Sequence, residues 1–414
     1  MHAGPMRAAV ACCVTVAVAL GLGACGDAAT GDKPPNGSST LTIYSSLPLH
    51  GRDRDRSRDM VNAIKLALQE GHGKIGNFSV TYVSLDSSTT DAGTWTRDRV
   101  LENARQAVRD QNTIAYIGDL HSAATALALP LVNEGHILMV SPGSTYDGLT
   151  RPGGSHKGEP ERFYPSGKLT FGRVVPPDHV QASAIVGYMK EEGVKRLELM
   201  GDRGLYGGGM LEQMQRAAQR QGVAIVDTKR IDARSGDLSG PAKDVASSGA
   251  DAFFFAGETD AGAQRIFNSV AAGDPSIALF APSAVASRAF VRSLTPSAAR
   301  RMRITTTTLP PHLLPRSAGE FLTRFRTEFA RDPSPDAMLA YEAAKIVLRS
   351  IHNAGKQGNN RNAVVDAFLA IRDHPSILGR YSIDRYGDTS LSTFAGNRVR
   401  AGKLVLDKVL KVRG

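Results

Sequence analysis

This chain predicts an α/β fold in two similar lobes, on three observations. Short apolar runs of strand character alternate with stretches whose apolar residues recur at helical spacing, which argues for parallel βαβ units. The alternation stops at a Gly-, Pro- and charge-rich stretch, residues 151–168, and then restarts. Beyond residue 25 about 390 residues remain, more than a single core holds and enough for two lobes.

Taken in order, residues 41–45 read as a strand, and 57–70 as a helix with Met60, Ala63, Ile64, Ala67 and Leu68 on one face. A strand at 78–85 precedes a helix at 97–110, where Val100, Leu101, Ala104 and Val108 keep helical spacing. Then come strand 114–117, helix 122–133 and strand 137–140. Residues 151–168 read as a long surface insertion. The second run has helices at 178–192, 210–221, 238–247 and 262–270. Its strands lie at 197–200, 224–226, 252–255 and 277–280. A strand at 303–308 and helices at 319–330, 337–354 and 361–371 follow, and a strand-rich tail holds 380–383, 394–401 and 404–409.

Composition narrows the class. The formal charge is +10, or +9 without Arg7, and suggests attraction to anionic lipid or wall polymer. The basic residues are scattered among acids, which speaks against nucleic acid as a partner. The one dense stretch, Arg52 to Arg58, alternates in sign and reads as a solvated loop or helix start.

The start of the chain addresses the protein. Arg7 precedes an apolar stretch, Ala8 to Leu22, that ends in Gly23 and Ala24 before Cys25; this reads as an export signal over residues 1–24. The Leu22-Gly-Ala-Cys25 sequence resembles the lipobox of bacterial lipoproteins. That resemblance implies diacylglycerol on the Cys25 thiol and a chain anchored on the extracytoplasmic face of the cell membrane. Cys12 and Cys13 fall inside the signal, so the exported chain keeps one cysteine and forms no internal disulfide. Residues 25–40, rich in Gly, Ser, Asp and Pro, read as a flexible tether reaching roughly 20 Å.

Catalytic signatures are missing from the sequence. There is no phosphate loop, no His-Glu-x-x-His and no Gly-x-Ser-x-Gly elbow, and His121, His136, His179 and His312 each stand alone. Gly207-Gly-Gly209 is a poor match to a phosphate loop. We therefore expect no enzyme, no cofactor and no metal. Polar residues gather instead where predicted strands end and helices begin: Gly118 to Thr125, Ser141 to Tyr146, Gly201 to Gly207 and Gly257 to Asp260. Parallel α/β sheets bind ligands at those carboxyl ends, and helix N-termini favour anions. Ser122 reads as a helix N-cap, either as a plain cap or also as a ligand contact. Trp95, the one Trp, reads as packing, with lining of a cleft as the alternative.

These segments, in this order, resemble the leucine/isoleucine/valine-binding family of solute-binding proteins over residues 41–410. The resemblance rests on Ala115-Tyr-Ile-Gly-Asp-Leu-His-Ser-Ala-Ala-Thr-Ala126, Gly135-His-Ile-Leu-Met-Val-Ser-Pro-Gly-Ser-Thr145, Arg173-Val-Val-Pro-Pro-Asp-His-Val-Gln-Ala182 and Asp202-Arg-Gly-Leu-Tyr-Gly-Gly-Gly209. It implies the type I periplasmic-binding fold, two Rossmann-like lobes with parallel-rich sheets joined by three hinge crossovers, near Arg173, Thr306 and Leu378. Lobe one would hold 41–173 and 307–377, lobe two 174–306 and 378–414. It further implies that Ser122 and Thr145, with the Gly143 backbone, bind a ligand carboxylate, and that Tyr206 closes over the ligand unless it is a core residue. Glu258 falls where the amino-acid binders carry an aromatic.

One position departs from the family. The binders carry an acid after the Pro that follows the next strand, to meet the ligand ammonium; here Ser283 follows Pro282. Either Glu258 or Asp260 replaces that acid, or the ligand lacks an ammonium. The charged loop at 47–58 also departs. The expected function is capture of a small polar ligand (an amino acid, amide or related carboxylate) by a monomer that delivers it to an ABC permease. A ligand-sensing lipoprotein that signals to a membrane partner is the alternative.

Overall fold

Strand and helix periods alternate along this chain because each strand must be covered on both faces, and the tertiary arrangement does so twice. A computed structural model describes Met1 and residues 38–412 except 153–155, 233–236 and 258–259, with the backbone alone described at 260 and 261. The expected signal, Cys25 and most of the tether lie outside the described residues, as does Glu258.

The first sheet is built from β1 (Thr40–Leu47), β2 (Phe78–Asp86), β3 (Thr113–Gly118), β4 (Leu138–Ser141) and β5 (Phe171–Arg173). They run in the order β2-β1-β3-β4-β5, all parallel, with a two-residue strand, Lys74–Ile75, antiparallel on the β2 edge. Helices α1 (Arg54–Gln69), α2 (Arg97–Arg109) and α3 (Ser122–Glu134) connect these strands.

The second sheet follows the same plan. Helix α4 (Asp178–Glu191) leads into β6 (Arg196–Asp202), α5 (Leu205–Gln221), β7 (Ala224–Ile231), α6 (Ser239–Ser247), β8 (Ala252–Ala256), α7 (Asp260–Gly273) and β9 (Ala278–Ala281). Two short helices, α8 (Arg288–Ser293) and α9 (Pro296–Arg301), precede β10 (Met302–Thr306). The chain then returns to the first lobe with α10 (Arg316–Phe329), α11 (Pro335–Asn353) and α12 (Arg361–Leu369), and ends in β11 (Thr393–Arg400) and β12 (Lys403–Lys411). The second sheet has the order β7-β6-β8-β9-β10-β11-β12 and turns antiparallel from β10 onward.

Each sheet carries a core on both faces. In the first lobe, α1, α10, α11 and α12 pack on one face and α2 and α3 on the other. In the second, α4 and α5 cover one face and α6 to α9 the other, around a cluster of edge-to-face phenylalanines, Phe253, Phe255, Phe267 and Phe290. The strand order reverses direction between β1 and β3 and again between β6 and β8. Such switch points open a crevice at the carboxyl ends of parallel strands.

Several sequence readings shift. Ser122 is the first residue of α3, and His121 is the N-cap. Helix α5 starts at Leu205, five residues before the expected Met210, so Gly207-Gly-Gly209 is helical. Glycine is poor helix material, but a Cβ on Gly207 would stand 2.3 Å from Asp202 Oδ1, so close approach to that turn excludes a larger residue. The 151–168 stretch is anchored: Phe163 is buried, and the Tyr164 hydroxyl donates to the Leu149 carbonyl. Residues beyond the expected Leu378 crossover stay with the first lobe, because Tyr381 and Ile383 lie in its core and Gly387 accepts from the Arg173 amide. The chain joins the second sheet at Thr393.

Candidate functional site

The loops at the two switch points enclose one small polar cavity. It holds about 50 Å³, room for a few water-sized groups. The first lobe gives Leu120, His121, Ser122, Pro142, Gly143, Thr145 and Val175, together with Arg56, Asp336 and Leu339 from α1 and α11. Tyr206, Ser283 and Ala284 face them from the second lobe, and Thr307 follows β10.

The anion-favouring end is the start of α3. Its N-cap His121 has extended backbone angles, and the first helical bond runs from the Thr125 amide to the His121 carbonyl. Helix N-termini present amides with no acceptor inside the helix and a positive end of the dipole. Ser122 Oγ accepts from the Tyr146 amide at 3.3 Å, which points its own proton elsewhere.

The loop carrying Gly143 and Thr145 is fixed by a serine. Ser141 Oγ donates to the Asp119 carbonyl at 2.7 Å and accepts from the amides of Gly143 and Ser144 at 3.2 and 2.9 Å. Ser144 Oγ and Thr125 Oγ1 lie 2.6 Å apart and join the two loops again. Gly143 must be glycine, since a Cβ there would meet the Leu120 carbonyl oxygen at 2.6 Å.

Behind this wall lies Asp119, fully buried. Ser46 Oγ donates to its Oδ1 at 2.8 Å, and Asn103 Nδ2 donates to Ser46 Oγ at 3.1 Å. Burial pushes the Asp119 carboxyl up to about 7, against the opposing pull of Ser46, His121 and Tyr116.

A chain of charged groups runs along the first-lobe wall. Arg56 Nε and Nη2 donate to Asp336 Oδ2 and Oδ1 at 2.7 and 2.8 Å, a two-point pair. Arg56 Nη1 is 3.9 Å from Asp53 Oδ1, and Asp53 Oδ2 is 3.0 Å from His121 Nε2. Burial raises the Asp53 carboxyl, but His121 and the arginines outweigh it and hold it at about 2.

On the second-lobe side, Tyr206 is buried at the second position of α5. Ser283 Oγ donates to Gln181 Oε1 at 3.3 Å and brings no charge. Five expected site residues, Ser122, Gly143, Thr145, Tyr206 and Ser283, therefore line one cavity. Glu258 lies outside the described residues, and so does the Asp260 side chain. Trp95 is not among the lining residues; its ring stands 6.4 Å from that of His121 and packs at the edge of a core.

The sequence reading missed Arg56 and Asp336. Arg56 lies in the charged run read as a solvated loop or helix start, and Asp336 lies just before the expected helix at 337–354, although the helix itself begins at Pro335. Among the described residues no cluster of His, Cys, Asp and Glu is arranged to hold a metal. Nor is any described helix long and apolar enough to cross a membrane.

Two lobes of parallel-rich α/β structure around a polar cleft define a solute-binding protein of the type I periplasmic-binding fold. The profile of the family described as periplasmic binding protein matches residues 41–394, and the chain belongs to that family, which is one of binding proteins rather than enzymes. A leucine-binding protein, LivK, from Thermotoga maritima is similar at TM-score 0.76 and 20% identity, over 90% of this chain and 99% of that one. LivJ from Streptococcus pneumoniae, solved with isoleucine, gives 0.74 and 19%, over 90% and 100%. A solute-binding protein from R. palustris, solved with benzoate, gives 0.72 and 16%, over 91% and 98%. No curated protein matches by sequence.

Proposed function

We propose that this chain is a lipid-anchored solute-binding protein that captures a small polar ligand between its lobes and delivers it to an ABC permease. One observation carries the reading: residues far apart in sequence, expected from ligand-binding loops, line a single cavity between two switch points. Ser122 and Thr145 hold an anionic group of the ligand, helped by the Gly143 backbone and the first turn of α3. Tyr206 covers the ligand and Ser283 adds a hydroxyl. Glu258 meets a donor or a positive group, because a buried unpaired carboxylate would be costly. The candidate ligands are amino acids, amides and related carboxylates; the similar proteins solved with isoleucine and with benzoate bracket that range. The lobes close on the ligand like a hinged clamp. The protein works as a monomer on the outer face of the membrane, tethered through Cys25.

A thermal-shift screen of the full-length chain in detergent tests the capture. A ligand at a hundredfold excess over its Kd adds roughly 2.7 kcal/mol and raises the Tm visibly. A panel of amino acids, amides, carboxylates, polyols and nucleobases with no shift at all sinks the reading. Loss of membrane association in a Cys25→Ser variant tests the anchor.

A further inference from the structure

The cavity wall carries an ion pair of its own. The two charged residues at its wall that are joined to each other, Arg56 and Asp336, both come from the first lobe and cancel in charge. The third ionisable group of the described lining, His121, is tied to Asp53. The described second-lobe lining offers a phenol, a hydroxyl and a methyl group, and no charge.

We infer that Asp336 is the specificity-determining acid of this cavity, selecting ligands that carry an ammonium group beside their carboxylate. The inference rests on the proposed solute-capture role. A carboxylate has about four lone-pair sites. The two-point pair with Arg56 engages each Asp336 oxygen once, so each retains a site for a second donor. Side-chain exposures of 27% for Arg56 and 21% for Asp336 leave the pair within reach of a solute. Arg56 fixes the orientation of Asp336 more firmly than a flexible single contact would.

The same chain of bonds fixes the distance between the two poles of the ligand. Asp336 holds Arg56, Arg56 approaches Asp53, Asp53 holds His121, and His121 stands at the N-cap position of the helix that offers the anion end. Three elements, α11, α1 and α3, are thereby tied into one wall. A simple carboxylate would satisfy the α3 end and set its dehydrated apolar part against Asp336. A zwitterion satisfies both ends and adds no net charge to a neutral pair, which is the arrangement that avoids burying an unpaired ion.

Titration calorimetry on the full-length chain in detergent tests this with matched pairs that differ in the amine alone: leucine and 4-methylpentanoate, alanine and propanoate, phenylalanine and 3-phenylpropanoate. The expected result is that an amino acid binds and its partner binds at least about thirtyfold more weakly, the scale of losing one buried charge pair. Asp336→Asn removes most of that preference, and Asp336→Glu restores part of it. The Tm of each variant without ligand stays within a few degrees of the parent, which separates recognition from folding. Equal binding of both members of a pair, binding of carboxylates or amides alone, or a preference that survives Asp336→Asn overturns the inference and leaves solute capture standing. Binding of nothing in the wider panel overturns both.

Discussion

Two arginine–aspartate pairs in the first lobe share their chemistry and differ in burial. Arg173 and Asp388 have side-chain exposures of 0% and 1%, where β5 ends and the closing loop returns. Every donor group of Arg173 is placed: Nε on Asp388, Nη1 on the Ser144 and Tyr146 carbonyls, Nη2 on Thr150. Arg151 holds the other Asp388 oxygen. Burial raises the Asp388 carboxyl, but Arg173 and Arg151 outweigh it and keep it below its ordinary range. Arg56 and Asp336 bond equally well but stand at a cavity wall, partly exposed. The difference teaches that geometry alone does not set the role of an ion pair. Enclosed on all sides, the pair braces the junction beside the cavity loop; with one side open, it can meet a solute.

Breaking the buried pair gives the largest effect. Arg173→Met leaves Asp388 with Arg151 alone and takes a donor away from three further acceptors, and should cost about 3–5 kcal/mol in denaturant unfolding. The lowered Asp388 carboxyl fixes the sign with pH. Its contribution is full above the ordinary carboxylate range and is lost as the pH falls below about 4. A loss under about 1 kcal/mol for Arg173→Met would mean that burial makes no difference to these pairs.

Asp119 sharpens the comparison as a buried carboxyl with no salt bridge among the described residues. Its raised value, about 7, gives the opposite sign. Its contribution is full below about 4 and is lost as the pH rises through 7. Asp119→Asn can keep the Ser46 hydrogen bond, so the variant should be more stable than the parent at pH 8 by on the order of a few kcal/mol and gain nothing at pH 4. Parallel pH–Tm curves for the two proteins would refute this.

The smallest effect belongs to the open pair. Asp336→Asn should change stability without ligand by about 0–1 kcal/mol, as partly exposed pairs do. A loss as large as that of Arg173→Met would make Asp336 a structural brace and remove the contrast.

Much of this architecture was legible in the chain. Apolar spacing is a local property, so Met60, Ala63, Ile64 and Ala67 marked the buried face of α1, and Leu138 to Val140 marked a covered strand. The resemblance implied Ser122, Gly143, Thr145 and Tyr206, and the departure from it fell at Ser283; all five line one cavity. The six-residue helices α8 and α9 and the three-residue strand β5 went unread, because segments so short show no period.

By itself, then, the sequence determined the alternation of strands and helices, the division into two runs and the loops at the strand ends. The tertiary structure decided what meets across distance. Arg56 and Asp336 are 280 positions apart and become partners because α1 and α11 pack side by side over the first sheet. Arg173 and Asp388, 215 apart, meet because the closing loop folds back onto β5. Periodicity reports which face of an element is buried, while the identity of its neighbour depends on how all the layers pack at once.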